Sequence, residues 1–337
     1  MNRPWQPGAV TGIGSLPGTD PDEAARLVFG ELAGFAHLVE LPARGAGADL
    51  IGRSAALLVD LPVEIVPSGW RFAAHPGHDA RHARDLLQRD LDAMQANAAG
   101  YAGPFKLQAA GPWTLAASLE LPSGHRVVSD RGAVRDLTES LTEGLRLHLD
   151  DVARRLPGVH PVLQLDEPSV PAVLAGQVPT PSGYGTVRAV DAPTVAQALG
   201  AVLAVADPGA RAVHCCAADA PIALLRAAGA DSLALDASLL TSAHYDALGE
   251  AVEAGTSLWL GVLPTSEQPL DLDTARDPIR RLWGRLGFAP DLLADSLVAT
   301  PACGLAGASP AHARRVLSVL REVGNWLADA AAEGTLG

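Results

Sequence analysis

The stretch "APTVAQALGAVLAVADPGARAVHCC" (192–216) changes its hydrophobic period part-way along. Over 192–206 the apolar residues keep helical spacing, and over 211–216 they form a short continuous run of the kind a buried strand shows. The same reading extends outward in both directions. Before it stands the apolar run "PVLQLD" (161–166), and after it "SLALD" (232–236). A strand, a helix and a further strand in series predict a parallel sheet covered by helices.

Five more runs read as strands: "AVTGIG" (9–14), "HLVEL" (37–41), "FKLQAA" (105–110), "SLWLGVL" (257–263) and "SLVAT" (296–300). Helical patterns cover 20–34, 79–100, 130–156 and 309–333. The first opens with an Asp cap followed by Pro, and the second closes on Gly. Eight strands alternating with helices in a chain of 337 residues predict an α/β fold closed as a single (β/α)8 TIM barrel. A doubly wound open sheet is the alternative. Residues 42–78 form the longest excursion and are expected to be an inserted loop or hairpin.

Composition narrows the function. The net charge is −13, from 25 basic and 38 acidic residues, with no basic tract. Nucleic acid and anionic membranes are therefore not expected partners. Lys106 is the only lysine. The N-terminus "MNRPWQPGAV" lacks an apolar signal core, and no run approaches the length of a membrane span. The chain reads as cytoplasmic. In that compartment three cysteines do not suggest a disulfide framework, and clustered thiols point to metal binding or catalysis.

Two of those cysteines lie in "VHCC" (213–216). Alternation along a strand puts His214 and Cys216 on one face and Cys215, a core residue, on the other. Cys303 follows the last strand in "ATPACGLAG", and Asp236 ends the sixth. All four positions fall at the C-terminal rim of a barrel, where imidazole, thiolates and carboxylate would offer N, S, O and S ligands to zinc. The competing reading is inert packing, since free Cys is among the most buried residue types. His75, His78 and His82 cluster in "HPGHDARHARD" but read as solvated surface residues. In "LQLDEPS" (163–169) at most one of Asp166 and Glu167 faces the barrel mouth. There a carboxylate would hold an ammonium group; the alternative is a helix cap or a loop salt bridge. The turn "GIGSLPG" (12–18) lacks the Gly-Lys-Ser/Thr of a phosphate loop. Its amides and Ser15 suit a carboxylate or serve as a plain turn.

Taken in order, "GIGSLPG", "AAGPWTL", "LQLDEPS", "VHCC", "LALDAS" and "TPACGL" resemble the catalytic domain of cobalamin-independent methionine synthase. That family shares a barrel superfamily with uroporphyrinogen decarboxylase. The resemblance spans nearly the whole chain and implies one methionine-synthase-like barrel over 1–337. It implies a methyltransferase that forms methionine from homocysteine, with Zn2+ held by His214, Cys216, Asp236 and Cys303. The family's usual carboxylate ligand is Glu, where this chain has Asp236. The resemblance further implies that Ser15 and Asp166 bind the amino-acid part of homocysteine. Glu40, in "LVELPARGAGADLIGR" (38–53), is offered for the family's substrate-binding Glu at a different offset.

The family's proton-donor His after strand seven has no counterpart in "GVLPTSEQP" (261–269). This leaves the catalytic residue unknown, with His125 and Glu167 as substitutes. A chain of this length has no room for the second, N-terminal barrel of the full-length enzymes. The methyl donor is therefore expected to be either a methyl-folate or a methylcorrinoid on a partner protein. Two other readings stand beside this one: a methyltransferase for another small thiol, and a non-catalytic zinc-containing barrel that binds an amino acid or a partner protein.

Overall fold

A computed structural model describes residues 3–98 and 100–335. Nine strands occur among the described residues: β1 (Ala36–His37), β2 (Val63–Val66), β3 (Gly69–Phe72), β4 (Gly103–Ala110), β5 (Val159–Asp166), β6 (Arg211–Cys215), β7 (Ser232–Asp236), β8 (Ser257–Leu263) and β9 (Leu297–Pro301). Seven of them form one sheet in the order β1-β4-β5-β6-β7-β8-β9, every pair parallel. Helices follow the strands, from Pro21–Glu31 to Pro310–Glu333. The result is an α/β fold with a curled parallel sheet, a TIM-like barrel.

The first expected strand, 9–14, is not a ladder strand. Two isolated parallel bridges hold this segment instead, Val10 to Ala299 and Ser15 to Glu40. Thr11 N donates to Ala299 O (3.2 Å) and Leu16 N to Glu40 O (2.9 Å), so the segment closes the gap between β9 and β1. The cause is glycine. Gly14 takes a φ of +150°, which breaks the regular strand path. A Cβ on Gly12 would lie 2.3 Å from His37 Nε2, so the turn presses against the barrel interior.

Alternation sorts each strand into two faces. Leu163, Leu165, Val213, Leu233, Leu235, Leu258 and Leu260 join the large core between sheet and helices, and Cys215 joins them there. Val162, Ala212, Ala234, Trp259 and Val298 point inward and meet Phe35 and Trp5 in a separate cluster. Trp5 stacks on Phe35 at 5.1 Å, and both meet Trp259 edge-on at 5.5 and 5.4 Å. These rings plug the barrel. One step further along the same strands, the inward positions become polar: His37, Lys106, Gln108, Gln164, Asp166 and His214, all buried. A polar layer on an apolar plug makes the floor of a site.

Residues 42–78 hold the short helix Leu50–Ala55 and the antiparallel hairpin of β2 and β3. Gly52 permits a close approach there, since a Cβ would sit 1.8 Å from Ala46 O. No helix among the described residues is long and apolar enough to cross a membrane.

Candidate metal centre

Parallel register sets the centre. Asp166 at the end of β5 stands opposite His214 on β6. His214 Nδ1 lies 2.8 Å from Asp166 Oδ1, with both side chains buried. The same oxygen accepts from Gln164 Nε2 at 2.7 Å. The carboxylate thus orients the imidazole, holding a proton on Nδ1 and leaving Nε2 without a partner in the protein. Nε2 is buried and has no hydrogen-bond partner. A buried, unpaired nitrogen is costly unless something binds it.

Cys216 follows β6, and Cys303 lies in the turn after β9. Their sulfurs are 3.5 Å apart. The candidate ligand atoms of His214, Cys216 and Cys303 all lie within 4.8 Å of one another. Burial opposes charge on His214, but the neighbouring Asp166 carboxylate and Cys303 sulfur raise its pKa to about 9, so a metal binding at Nε2 would displace a proton there. The two thiols titrate as a pair sharing one proton. Cys303, hydrogen-bonded to Cys216, is lowered to about 4, and Cys216 is pushed far above the ordinary thiol range. Cys215 faces the core, where burial raises it to about 11.

This donor set suits a thiophilic metal such as zinc. A free Nε2, two convergent sulfurs and a carboxylate behind the imidazole form the carboxylate–histidine arrangement common at zinc sites. Three protein donors leave the fourth position of a tetrahedral site open, as catalytic zinc sites require. Replacing Asp166 with asparagine keeps the shape but removes the charge behind His214. We expect metal affinity to fall by about 10–100-fold, measured by competition with a chromophoric chelator.

Asp236 stands apart from this group. It ends β7, and its Oδ1 accepts from Ser238 N (2.8 Å) and Ser238 Oγ (2.7 Å), capping the turn that follows. Asp236→Ala should therefore retain close to one metal per chain in a metal analysis. A loss equal to that of a cysteine variant would show that Asp236 is a ligand.

Ser15 and Glu40 lie beside the centre. Leu305 N donates to Ser15 O at 2.8 Å, and a Cβ on Gly304 would meet Ser15 Oγ at 2.0 Å. Glycine after Cys303 is what lets the two turns touch. Glu40 is bridged to Ser15 and buried, with Arg53 Nε 3.4 Å from its Oε1. Burial raises its carboxyl to about 7, against the pull of Arg53. Arg53 in turn pairs with the buried Asp90.

Glu167 has a different task. Its Oε1 accepts from Trp113 N (3.0 Å), and its Oε2 accepts from Thr114 N and Thr114 Oγ1 (both 2.8 Å). It caps the helix Pro112–Ser118 from outside that helix. His125 is exposed in a loop. His78 and His82 stack on each other at 6.0 Å at the exposed start of the helix His78–Asn97, away from the thiols. Sequence reading missed the link from Asp166 to His214 and the inward Lys106, Gln108 and Gln164. The available signal was polar residues at alternate positions in otherwise apolar strands.

The fold and the site define a barrel with a candidate His/Cys/Cys metal centre at its C-terminal rim. Residues 8–325 match the family described as "Cobalamin-independent synthase, Catalytic domain", and the chain belongs to that family. It is accordingly a methyltransferase of the 5-methyltetrahydropteroyltriglutamate–homocysteine type. Among solved structures, the chain is similar to a B12-independent methionine synthase from Shewanella sp. W3-18-1 in complex with selenomethionine. That match has 14% identity and a TM-score of 0.61, and covers 97% of this chain and 99% of the other. A beta-mannanase from the blue mussel Mytilus edulis matches at 11% identity and a TM-score of 0.44, over 93% and 92% of the two chains. No curated protein matches significantly.

Proposed function

We propose that this chain transfers a methyl group to the thiol of homocysteine, giving methionine, at a zinc site formed by His214, Cys216 and Cys303. The observation that carries the reading is the buried, unpaired Nε2 of His214 beside two sulfurs, with Nδ1 anchored on Asp166. Zinc bound there would hold an incoming thiol as thiolate at neutral pH, where a free thiol is mostly protonated. The chain's residues supply position. Asp166 holds His214 in one tautomer. Ser15, against the Cys303 turn, and the nearby Glu40 and Asp166 offer a hydroxyl and two carboxylates to the amino and carboxyl groups of an amino acid. The polar floor and the apolar plug beneath it limit how deep the substrate sits. Holding the sulfur in line with a methyl group lowers the barrier by several kcal/mol in favourable cases. The donor enters from the open mouth, as a methyl-folate or a methylcorrinoid on a partner protein.

Zinc X-ray absorption with and without L-homocysteine tests this. The expected first shell holds two sulfurs and lighter atoms, and gains a third sulfur when the thiol is added. A zinc-free protein, or a shell indifferent to the thiol, would overturn the reading.

A further inference from the structure

Lys106 is the only lysine in the chain and is fully buried inside the barrel. It sits on β4, opposite His37 on one side and Val162 on the other. Its Nζ donates to Ile13 O at 2.7 Å and to Gln108 Oε1 at 3.2 Å. Both partners are neutral oxygens. Burial lowers the Lys106 pKa to about 7 against the pull of the Asp166 and Glu40 carboxylates, and an amine so costly to bury in place of a methionine needs a reason.

The reason lies in what the network reaches. Ile13 O accepts a second hydrogen bond, from Gln164 Nε2 at 3.0 Å, and that same amide holds Asp166. Ile13 belongs to the turn that carries Ser15 two residues later. Gln108 Nε2 donates to Leu38 O at 2.6 Å, two residues before Glu40. From Lys106, three short branches thus lead to Ser15, Asp166 and Glu40. The glycines of the turn make the coupling tight, since a Cβ on Gly14 would press on Gln108 at 2.8 Å. Asp166 and Glu40 also share the field of the buried ammonium.

We propose that Lys106 is a positioning residue: it holds Ser15, Asp166 and Glu40 in register to receive the amino-acid half of the substrate, and does not act on its sulfur. The inference rests on the reading under Proposed function, and two thiols separate the claims. 2-Mercaptoethanol offers a sulfur without the amino-acid groups; L-homocysteine offers both. In zinc-loaded Lys106→Met, calorimetry should show L-homocysteine binding weakened by at least about tenfold, the scale of a misplaced hydrogen-bonding group. Affinity for 2-mercaptoethanol should stay within about twofold. Equal loss for both thiols, or no loss for either, would overturn the proposal.

The single lysine provides a second test that needs no variant. With lysine labelled with 15N at Nζ, the wild-type chain gives one Nζ resonance. That resonance should shift when L-homocysteine is added and stay still with 2-mercaptoethanol. A resonance indifferent to bound L-homocysteine would overturn the proposal even if the variant fails to fold. If the wild-type chain binds 2-mercaptoethanol at zinc but not L-homocysteine, or binds neither, the substrate reading fails and the role of Lys106 falls with it.

Discussion

Cys303→Ala should leave a folded chain that no longer holds zinc. Cys303 is half-buried in a turn, so loss of its sulfur removes little packing. It removes one of the three convergent donors found among the described residues. Disturbing a residue behind a ligand already costs about 10–100-fold in metal affinity, and losing a thiolate donor should cost more than about 100-fold. Metal analysis after dialysis should find well under a tenth of the wild-type zinc, on the scale of that affinity loss. Methyl transfer should fall with it, and circular dichroism should be unchanged. Retention of zinc would show that the sulfurs approach one another for packing alone.

The second large effect concerns stability. Glu167→Ala removes the shared acceptor of two backbone N–H groups and one hydroxyl, all buried. Each orphaned donor costs about 1–3 kcal/mol, so the variant should lose at least about 3 kcal/mol in denaturant unfolding. Gly111 packs directly against the Glu167 side chain, where a Cβ would lie 2.3 Å from Oε1, so the truncation also leaves a cavity. The folded fraction should keep its zinc and its affinity for thiol. If Glu167 instead served as proton donor, the folded fraction of Glu167→Gln would bind metal and thiol normally yet lose methyl transfer.

Much of the barrel was legible because strand and helix differ in period. The runs at 232–236 and 257–263 match β7 and β8 to the residue, since each is a short, mostly apolar run that follows a polar residue, Asp231 or Thr256. The segment 9–14 was not legible as bridges, because sequence shows that glycines are present but not which way they turn. The face shared by His214 and Cys216 follows from alternation alone. The pairing of Asp166 with His214 depends on register between strands separated by two helices and a long loop, which periodicity does not encode. Asp236 shows the same limit: its position at a strand end was readable, but the competition from Ser238 two residues on was decided by local turn geometry. Lys106, Gln108 and Gln164 were hidden inside strands that read as apolar, although their alternation marks one inward face.

The aromatic stopper of Trp5, Phe35 and Trp259 gives the barrel a single doorway. Whatever lies deepest must arrive first and depart last. If the thiol sits at the metal with the methyl donor above it, as proposed, turnover would be a queue: the spent donor would have to withdraw before the methylated product could follow. An excess of donor should then slow product escape, a traffic constraint imposed by three rings at the far end of the molecule.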